Sequence, residues 1–284
     1  LHQLVQVFLV GLTLGVMRTV VPALAESEFG VPKGSFLLLM AFVVAFGFVK
    51  GTLNFVAGRL SERLGRKTVL LLGWASAIPI PFMILYAPSW SWIVAATVLL
   101  GMNQGFTWSM TQTAKLDITR ADQRGLTMGL NEFSGYVGVA VAGIITGYLA
   151  TALGPRMGLF VFGATVIVTA LVLTALWVKE TLAWAHAEGA RHAAGKSTGP
   201  IPRFPQNISG QPTTWEVFTL MSWRDKRMAA LSQAGLVEKF VDALIWVVYP
   251  VYLYERGLSL AHIGWVVGVY GFVWGGSQFF TGRL

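Results

Sequence analysis

Six ionisable residues stand inside stretches that are otherwise apolar. Arg18, Lys50, Glu132, Glu238, Lys239 and Asp242 fall within runs rich in Leu, Val, Phe, Ala and Gly. In hydrocarbon a charged side chain costs roughly 2.5–3.5 kcal/mol on insertion scales, so such groups face a partner, a ligand or a water-filled cavity. Two kinds of chemistry are open to them. Opposite charges can neutralise one another as structural pairs, or a carboxyl screened from water can carry a proton while a neighbouring charge holds an ionic solute. Glu238 and Asp242 are four residues apart and share one face of a helix. Gln104, with Asn103, Trp108 and Gln112 nearby in sequence, is a further candidate for the same cavity, or for plain packing. The candidate substrate or proton cavity is therefore Arg18, Lys50, Gln104, Glu132, Glu238, Lys239 and Asp242.

Other chemistries are poorly supplied. The chain has no Cys, and His2, His186, His192 and His262 make no metal-ligand spacing, so no metal site and no cofactor is expected. Ser134 or Ser232 beside a carboxylate is a weak basis for acyl transfer, and no Gly-rich Lys-Ser/Thr loop is present to cradle a nucleotide phosphate. An enzyme is not expected.

The elements that must position these charges follow from composition. Of the 284 residues 55% are hydrophobic and 12% charged, about half the charge of a soluble domain, which points to lipid as the surrounding. Eight runs are long enough to cross a bilayer at about 1.5 Å per residue: 4–24, 36–57, 69–87, 93–114, 128–150, 157–178, 229–254 and 260–281. Residues 1–178 are expected to form a six-helix bundle, 179–228 a polar, Gly/Pro-rich cytosolic linker, and 229–284 the first two helices of a second bundle. Within the linker, Trp215, Phe218 and Met221 recur at helical spacing and suit either a short amphipathic helix on the membrane surface or a plain linker helix. The net charge of +8 does not imply nucleic acid, because the basic residues sit in short loops between the apolar runs. Fourteen Lys and Arg lie in the loops on one side (Arg59, Arg63, Arg66, Lys67, Lys115, Arg120, Arg124, Lys179, Arg191, Lys196, Arg203, Arg224, Lys226, Arg227), against Lys33, Arg156 and Arg256 on the other. That asymmetry places the N-terminus in the cytosol, in a multi-pass protein of the plasma (inner) membrane.

An internal repeat supports two bundles. Residues 47–60, GFVKGTLNFVAGRL, match 271–284, GFVWGGSQFFTGRL, at a shift of 224, with Gly47, Phe48, Val49, Gly51, Phe55, Gly58, Arg59 and Leu60 recurring. Under the same shift Arg18 corresponds to Asp242, although the two helices place their prolines, Pro22 and Pro250, differently. A six-helix unit, a linker and a second copy form a parallel repeat. The chain is expected to be a fragment at both ends and to continue beyond Leu284 with the rest of the loop motif and four more spanning helices.

The loop at Gly58–Lys67, GRLSERLGRK, resembles the signature of the major facilitator superfamily: Gly, three residues, Asp-Arg, any residue, Gly, Arg and a basic residue, with Glu62 in place of Asp. Asp117, six residues and Arg124-Gly125 are similar to an element of that superfamily's sugar porters, and Lys179-Glu180-Thr181 to its Pro-Glu-Thr. The resemblance implies an all-α membrane protein of the major facilitator fold. It also implies a cytosolic conformational latch formed by Gly58, Glu62, Arg63, Gly65, Arg66, Lys67, Asp117 and Arg124. In that latch Gly58 would let two helices approach, Glu62 would meet an Arg or a helix N-terminus, and Arg63, Arg66 and Lys67 would pair with Asp117 or with lipid headgroups. The alternative is a loop that serves only membrane topology.

Glu132 falls where sugar porters carry a substrate-binding Gln, and Glu238-Lys239 where they carry a Gln pair. Ionisable groups in place of amides argue against a neutral sugar. The resemblance therefore implies a secondary transporter of a small organic solute, proton-coupled, monomeric, in contact with membrane lipids, and directed towards efflux of an ionic or amphiphilic compound. The Gly-rich helix 5 is similar to that of the superfamily's antiporters but lacks their Gly-Pro step. Helix 4 lacks the Arg common in its drug exporters, leaving Arg18 as the candidate for that role. The alternatives are a non-transporting sensor on the same fold and a membrane-embedded enzyme.

Overall fold

The computed structural model of the chain describes residues 1–32, 35–193 and 213–283. Lys33, Lys196 and Arg203 of the loop count, the middle of the linker and Leu284 lie outside the described residues. Within them every regular element is helical. In chain order these are α1 His2–Arg18, α2 Val20–Ala23, α3 Ala25–Phe29, α4 Phe36–Leu64, α5 Arg66–Ala77, α6 Pro79–Leu85, α7 Trp90–Asp117, α8 Arg124–Leu153, α9 Pro155–Trp177, α10 Leu182–Ala193, α11 Thr214–Thr219, α12 Lys226–Glu255 and α13 Leu260–Thr281.

The breaks have local causes. The first run is interrupted at Thr19 and again at Leu24, so it becomes α1, α2 and α3. The third run is divided at Ile78, because Pro79 cannot donate to the helical ladder and opens α6 instead. Gly154 has φ 82° and leads into Pro155 at the first turn of α9, a tight reversal that a side chain would strain. Asp225 caps α12 by accepting from the N–H groups of Arg227 and Met228 at 2.9 and 3.1 Å.

Among the described residues five stretches are long and apolar enough to cross a membrane: His2–Ala23, Leu37–Leu64, Arg66–Leu85, Ala121–Leu153 and Pro155–Trp177. Helices α7, α12 and α13 have the length, with 28, 30 and 22 residues, but polar side chains dilute α7 and α12, and glycine, Trp and Tyr lower the hydropathy of α13. Those polar residues include Asn103, Gln104, Glu238, Lys239 and Asp242.

Helix α1 is the centre of the packing and is buried almost all round from Gln6 to Arg18. In lipid no hydrophobic force draws helices together, so close backbone approach has to supply the attraction. Helix α8 provides it on two faces. A Cβ added at Gly138 would collide with the backbone of Phe8, Gly11 and Leu12 in α1. A Cβ at Gly264 of α13 would collide with Gly143 of α8, and one at Gly147 with Leu260. Polar ties reinforce the bundle: Trp74 Nε1 and Thr174 Oγ1 both donate to Gln6 Oε1 at 3.0 Å, linking α5 and α9 to α1.

The two ends of the bundle are fastened differently. At one end the Glu180 carboxylate accepts from the backbone N–H of Arg66 (2.8 Å), Lys67 (3.0 Å), Thr181 (2.9 Å) and Leu182 (2.9 Å), so it caps the start of α5. Gly65, at φ 88°, leaves room for that carboxylate, which a Cβ would strike. The Arg66 guanidinium meets Glu62 at 2.8 Å, Asp117 at 3.1 Å and Ser61 Oγ at 2.9 Å, and Thr181 Oγ1 donates to Asp117 at 2.8 Å. At the other end Arg156 donates to the carbonyls of Ala87 (2.6 Å) and Glu28 (2.9 Å).

The expected latch residues are thus only partly assembled. Arg66, not Arg63 or Lys67, is the partner of Asp117; Lys67 Nζ donates to the Ala175 carbonyl at 2.8 Å. Arg124 lines a cavity of about 320 Å³ with Leu116, Asp117, Ala185 and Glu188. The expected close approach at Gly58 is corrected: a Cβ there would meet nothing within 4 Å, because α4 turns that position away from the packed helices. In the linker, Thr213 and Glu216 form a capping box at the start of α11 (Thr213 N to Glu216 Oε2 2.7 Å), and Phe218 stacks with Trp215 and meets Trp223 and Phe55.

Gly138→Val should lower stability by about 1–3 kcal/mol through overpacking against α1, read as a lower thermal midpoint, whereas Gly189→Ala, in open space on α10, should be neutral or slightly stabilising. Burial alone would raise the affinity of Glu180 for a proton, but the N–H donors of Leu182, Arg66, Lys67 and Thr181 outweigh it and hold its pKa below the ordinary value. A carboxyl depressed in the folded state stabilises fully above its unfolded pKa and loses that contribution as pH falls through the folded one. Thermal stability should therefore decline on acidification below about pH 4.3 less steeply in Glu180→Gln than in the unsubstituted protein. Glu180→Ala should cost about 1 kcal/mol at neutral pH, as for a lost helix cap.

Candidate functional site

The intramembrane charges converge where α12 meets α1, α8 and α13. Arg18, the last residue of α1, forms an ion pair with Asp242 of α12, and both are buried. Its guanidinium also lies 4.9 Å from the centre of the Trp246 ring, and Trp246 Nε1 donates to the Met17 carbonyl at 3.2 Å. The second Asp242 oxygen accepts from Tyr270 of α13 at 3.2 Å. A cation in the last turn of a helix faces the negative end of the helix dipole, so Arg18 is also favoured where it stands. Arg18 and Asp242 are separated by 224 residues, the period of the repeat. The pair joins α1 to α12 across that sequence separation.

Lys239 lies one helical turn before Asp242. Its ammonium meets Glu238 at 3.1 Å, Asp242 at 3.8 Å and Tyr136 Oη at 3.2 Å, and it lies 5.8 Å from the centre of the Trp274 ring. Its side chain is 57% exposed and that of Asp242 10%, so the set runs from an open rim to a buried floor.

A second group surrounds Trp108 of α7. The Glu132 Oε1 atom accepts from Trp108 Nε1 (3.1 Å), Gln112 Nε2 (2.9 Å) and Asn131 Nδ2 (2.9 Å). All three donors are neutral, and Glu132 makes no ion pair among the described residues. Lys50 of α4 places its ammonium 5.0 Å from the centre of the Trp108 ring and 5.6 Å from that of Phe46, and it too has no ion pair or hydrogen bond among the described residues. The Trp108 ring lies edge-on to Tyr136, with centroids 6.0 Å apart, and so joins this group to the Lys239 group.

Gln104 stands apart. It is fully buried and donates to the Val10 carbonyl and Asn103 Oδ1, both at 3.1 Å, while Asn103 donates to the Gly73 carbonyl at 2.9 Å. These amides tie α7 to α1 and α5, as packing requires. Sequence reasoning singled out Trp108, Gln112 and the charges but missed Tyr136, Trp246, Tyr270 and Trp274. Trp246 carried a signal, since it stands four residues after Asp242 and shares its helical face.

This arrangement can hold and exchange charge in an apolar setting, with aromatic walls, and it contains no group of three metal-ligating side chains among the described residues. Comparison with known proteins agrees with a membrane setting. The chain is 35% identical over 91 residues to the proton-coupled antiporter flippase LtaA of Staphylococcus saprophyticus, a match covering 32% of this chain and 22% of that protein. It is 32% identical over 124 residues to the tetracycline resistance protein, class B, of Escherichia coli, covering 44% of this chain and 30% of the relative. The matches thus span less than a third of the length of either curated relative. A family model described as Major Facilitator Superfamily matches residues 4–284. With that match over nearly every residue and the apolar helices already described, the chain belongs to the major facilitator superfamily and is an integral, multi-pass membrane protein.

Proposed function

We propose that the protein is a secondary transporter that moves a small organic solute across the membrane, coupled to protons and directed towards efflux of an ionic or amphiphilic compound. The observation that carries this reading is the charged, aromatic-walled cluster at the junction of the two repeat copies, where a change in their relative position would make and break ion pairs. The family is one of transporters and not enzymes. Of the relatives, one is named for proton-coupled antiport and flipping and the other for resistance to tetracycline, and both names suit export of an amphiphile.

On this reading Glu132 carries the proton. It lacks an ion-pair partner among the described residues, so it can change protonation without breaking a salt bridge, whereas the charge of Asp242 is matched by Arg18. The Glu62–Arg66–Asp117 set, with Glu180 and Thr181, acts as the latch on the cytosolic face, where the basic loops collect. The N-terminus then lies in the cytosol, the protein works as a monomer in the inner membrane, and 1–178 and 229–284 belong to separate moving bundles joined by 179–228.

The test is a solute screen on the complete protein in liposomes, with internal pH recorded. Solute addition should move protons across the membrane. In Glu132→Gln, accumulation driven by a pH gradient should fall at least about tenfold while solute affinity changes by less than about threefold. Unchanged transport and pH dependence in that variant would remove Glu132 from the mechanism, and absence of any solute-linked proton movement would remove proton coupling.

A further inference from the structure

Lys50 is the one cation of the central cluster that no carboxylate contacts among the described residues. Of the three cations in the central cluster, Arg18 is paired with Asp242 and Lys239 with Glu238 and Asp242. Among the described residues, the groups in contact with the Lys50 ammonium are the faces of Trp108 and Phe46. A cation–π contact offsets part of the cost of taking an ammonium from water, but an intramembrane lysine is normally met by an anion. Glu132 gives its bonded oxygen to the edge of Trp108 and to the amides of Gln112 and Asn131, not to Lys50. Through space, Glu132 and Asp242 attract Lys50 while Lys239 and Arg18 repel it, and no carboxylate among the described residues contacts it.

The surroundings of Lys50 are aromatic. Phe46 packs edge-on against Trp246 at 4.7 Å between centroids, and Trp108 against Tyr136 at 6.0 Å, so rings flank the ammonium on the sides of both α7 and α12. Lys50 and Trp274 occupy equivalent places in the two repeats, and Lys239 lies over the Trp274 ring as Lys50 lies over Trp108. Each copy thus presents an ammonium seated on an indole face towards the junction.

We propose that Lys50 is the anchor for the anionic group of the transported solute, and that this solute is an organic anion with an aromatic or apolar body. The carboxylate, sulfonate or phosphate oxygen accepts from the Lys50 ammonium, and the body lies against Trp108, Phe46 and Trp246. Arg18 and Asp242 neutralise each other beneath it and do not compete for the anion. The inference rests on the transport reading for its physiological meaning, but binding can be measured without transport.

The test uses matched probes of opposite charge, 4-iodobenzoate and 4-iodobenzylammonium, whose iodine quenches nearby tryptophan fluorescence. Binding is measured on the complete protein in nanodiscs of uncharged phosphatidylcholine. The unsubstituted protein should prefer the benzoate. Lys50→Gln should lower benzoate affinity about tenfold and leave ammonium affinity equal or higher. Lys50→Arg should retain the preference for the anion. Lys50→Gln should also keep or raise the thermal midpoint, because it removes an uncompensated charge. Equal binding of both probes, an anion preference that survives Lys50→Gln, or a fall in thermal midpoint with unchanged binding would each overturn the assignment, the last by showing a structural cation. Proton-coupled flux that persists without any anion preference would sink this inference alone; anion binding without flux of any solute would sink only the transport reading.

Discussion

Arg18 and Asp242 are both buried, so each charge depends on the other and not on solvent for its neutralisation. Removing one partner of such a pair leaves the other uncompensated, at a cost of roughly 3–5 kcal/mol, although the intact pair adds little over well-packed apolar residues. The pair is therefore better at specifying than at stabilising. It lets α12 rest against α1 at one register and penalises the others. Around it, Trp246 reaches the Met17 carbonyl and Tyr270 the free oxygen of Asp242, so three helices share one electrostatic constraint.

The rest of the bundle makes that constraint possible by bringing backbones close. Helix α8 uses glycines to meet α1 on one side and α13 on the other, and so sets the distance between those two helices. The fastening at Glu180, Arg66 and Asp117 holds the ends of α4, α5, α7 and α9 without touching α12 or α13. The contact of α12 and α13 with the helices before them combines the buried Arg18–Asp242 pair with close backbone packing of α13 on α8. Glu132 and Lys50 lie on the edge and face of one indole, close to this junction but outside its pairing.

Much of this was legible in the sequence because lipid writes strong signals. Apolar length and loop charge placed the helices. That Arg18 and Asp242 touch was not legible, since a sequence separation of 224 does not say which helices lie side by side. The depth of Glu132 followed from counting residues, but its neutral partners Trp108 and Gln112 depend on how α7 is rotated against α8. The same ignorance of rotation placed Gln104 in the expected cavity, whereas it faces the α1 backbone, and gave Gly58 a packing role that the open face of α4 does not require. Tyr136, Tyr270 and Trp274 were missed because aromatic residues are common in membrane helices and acquire meaning only from the charges beside them.

The central claim is that the Arg18–Asp242 pair fixes how α12 meets α1. A double-mutant cycle tests it most directly: thermal unfolding of the complete protein in nanodiscs, with Arg18→Gln, Asp242→Asn and the two combined. Each single change should destabilise strongly, and the combined change by clearly less than their sum, with a coupling of about 2 kcal/mol or more. Additive effects, or single variants as stable as the parent, would contradict the account.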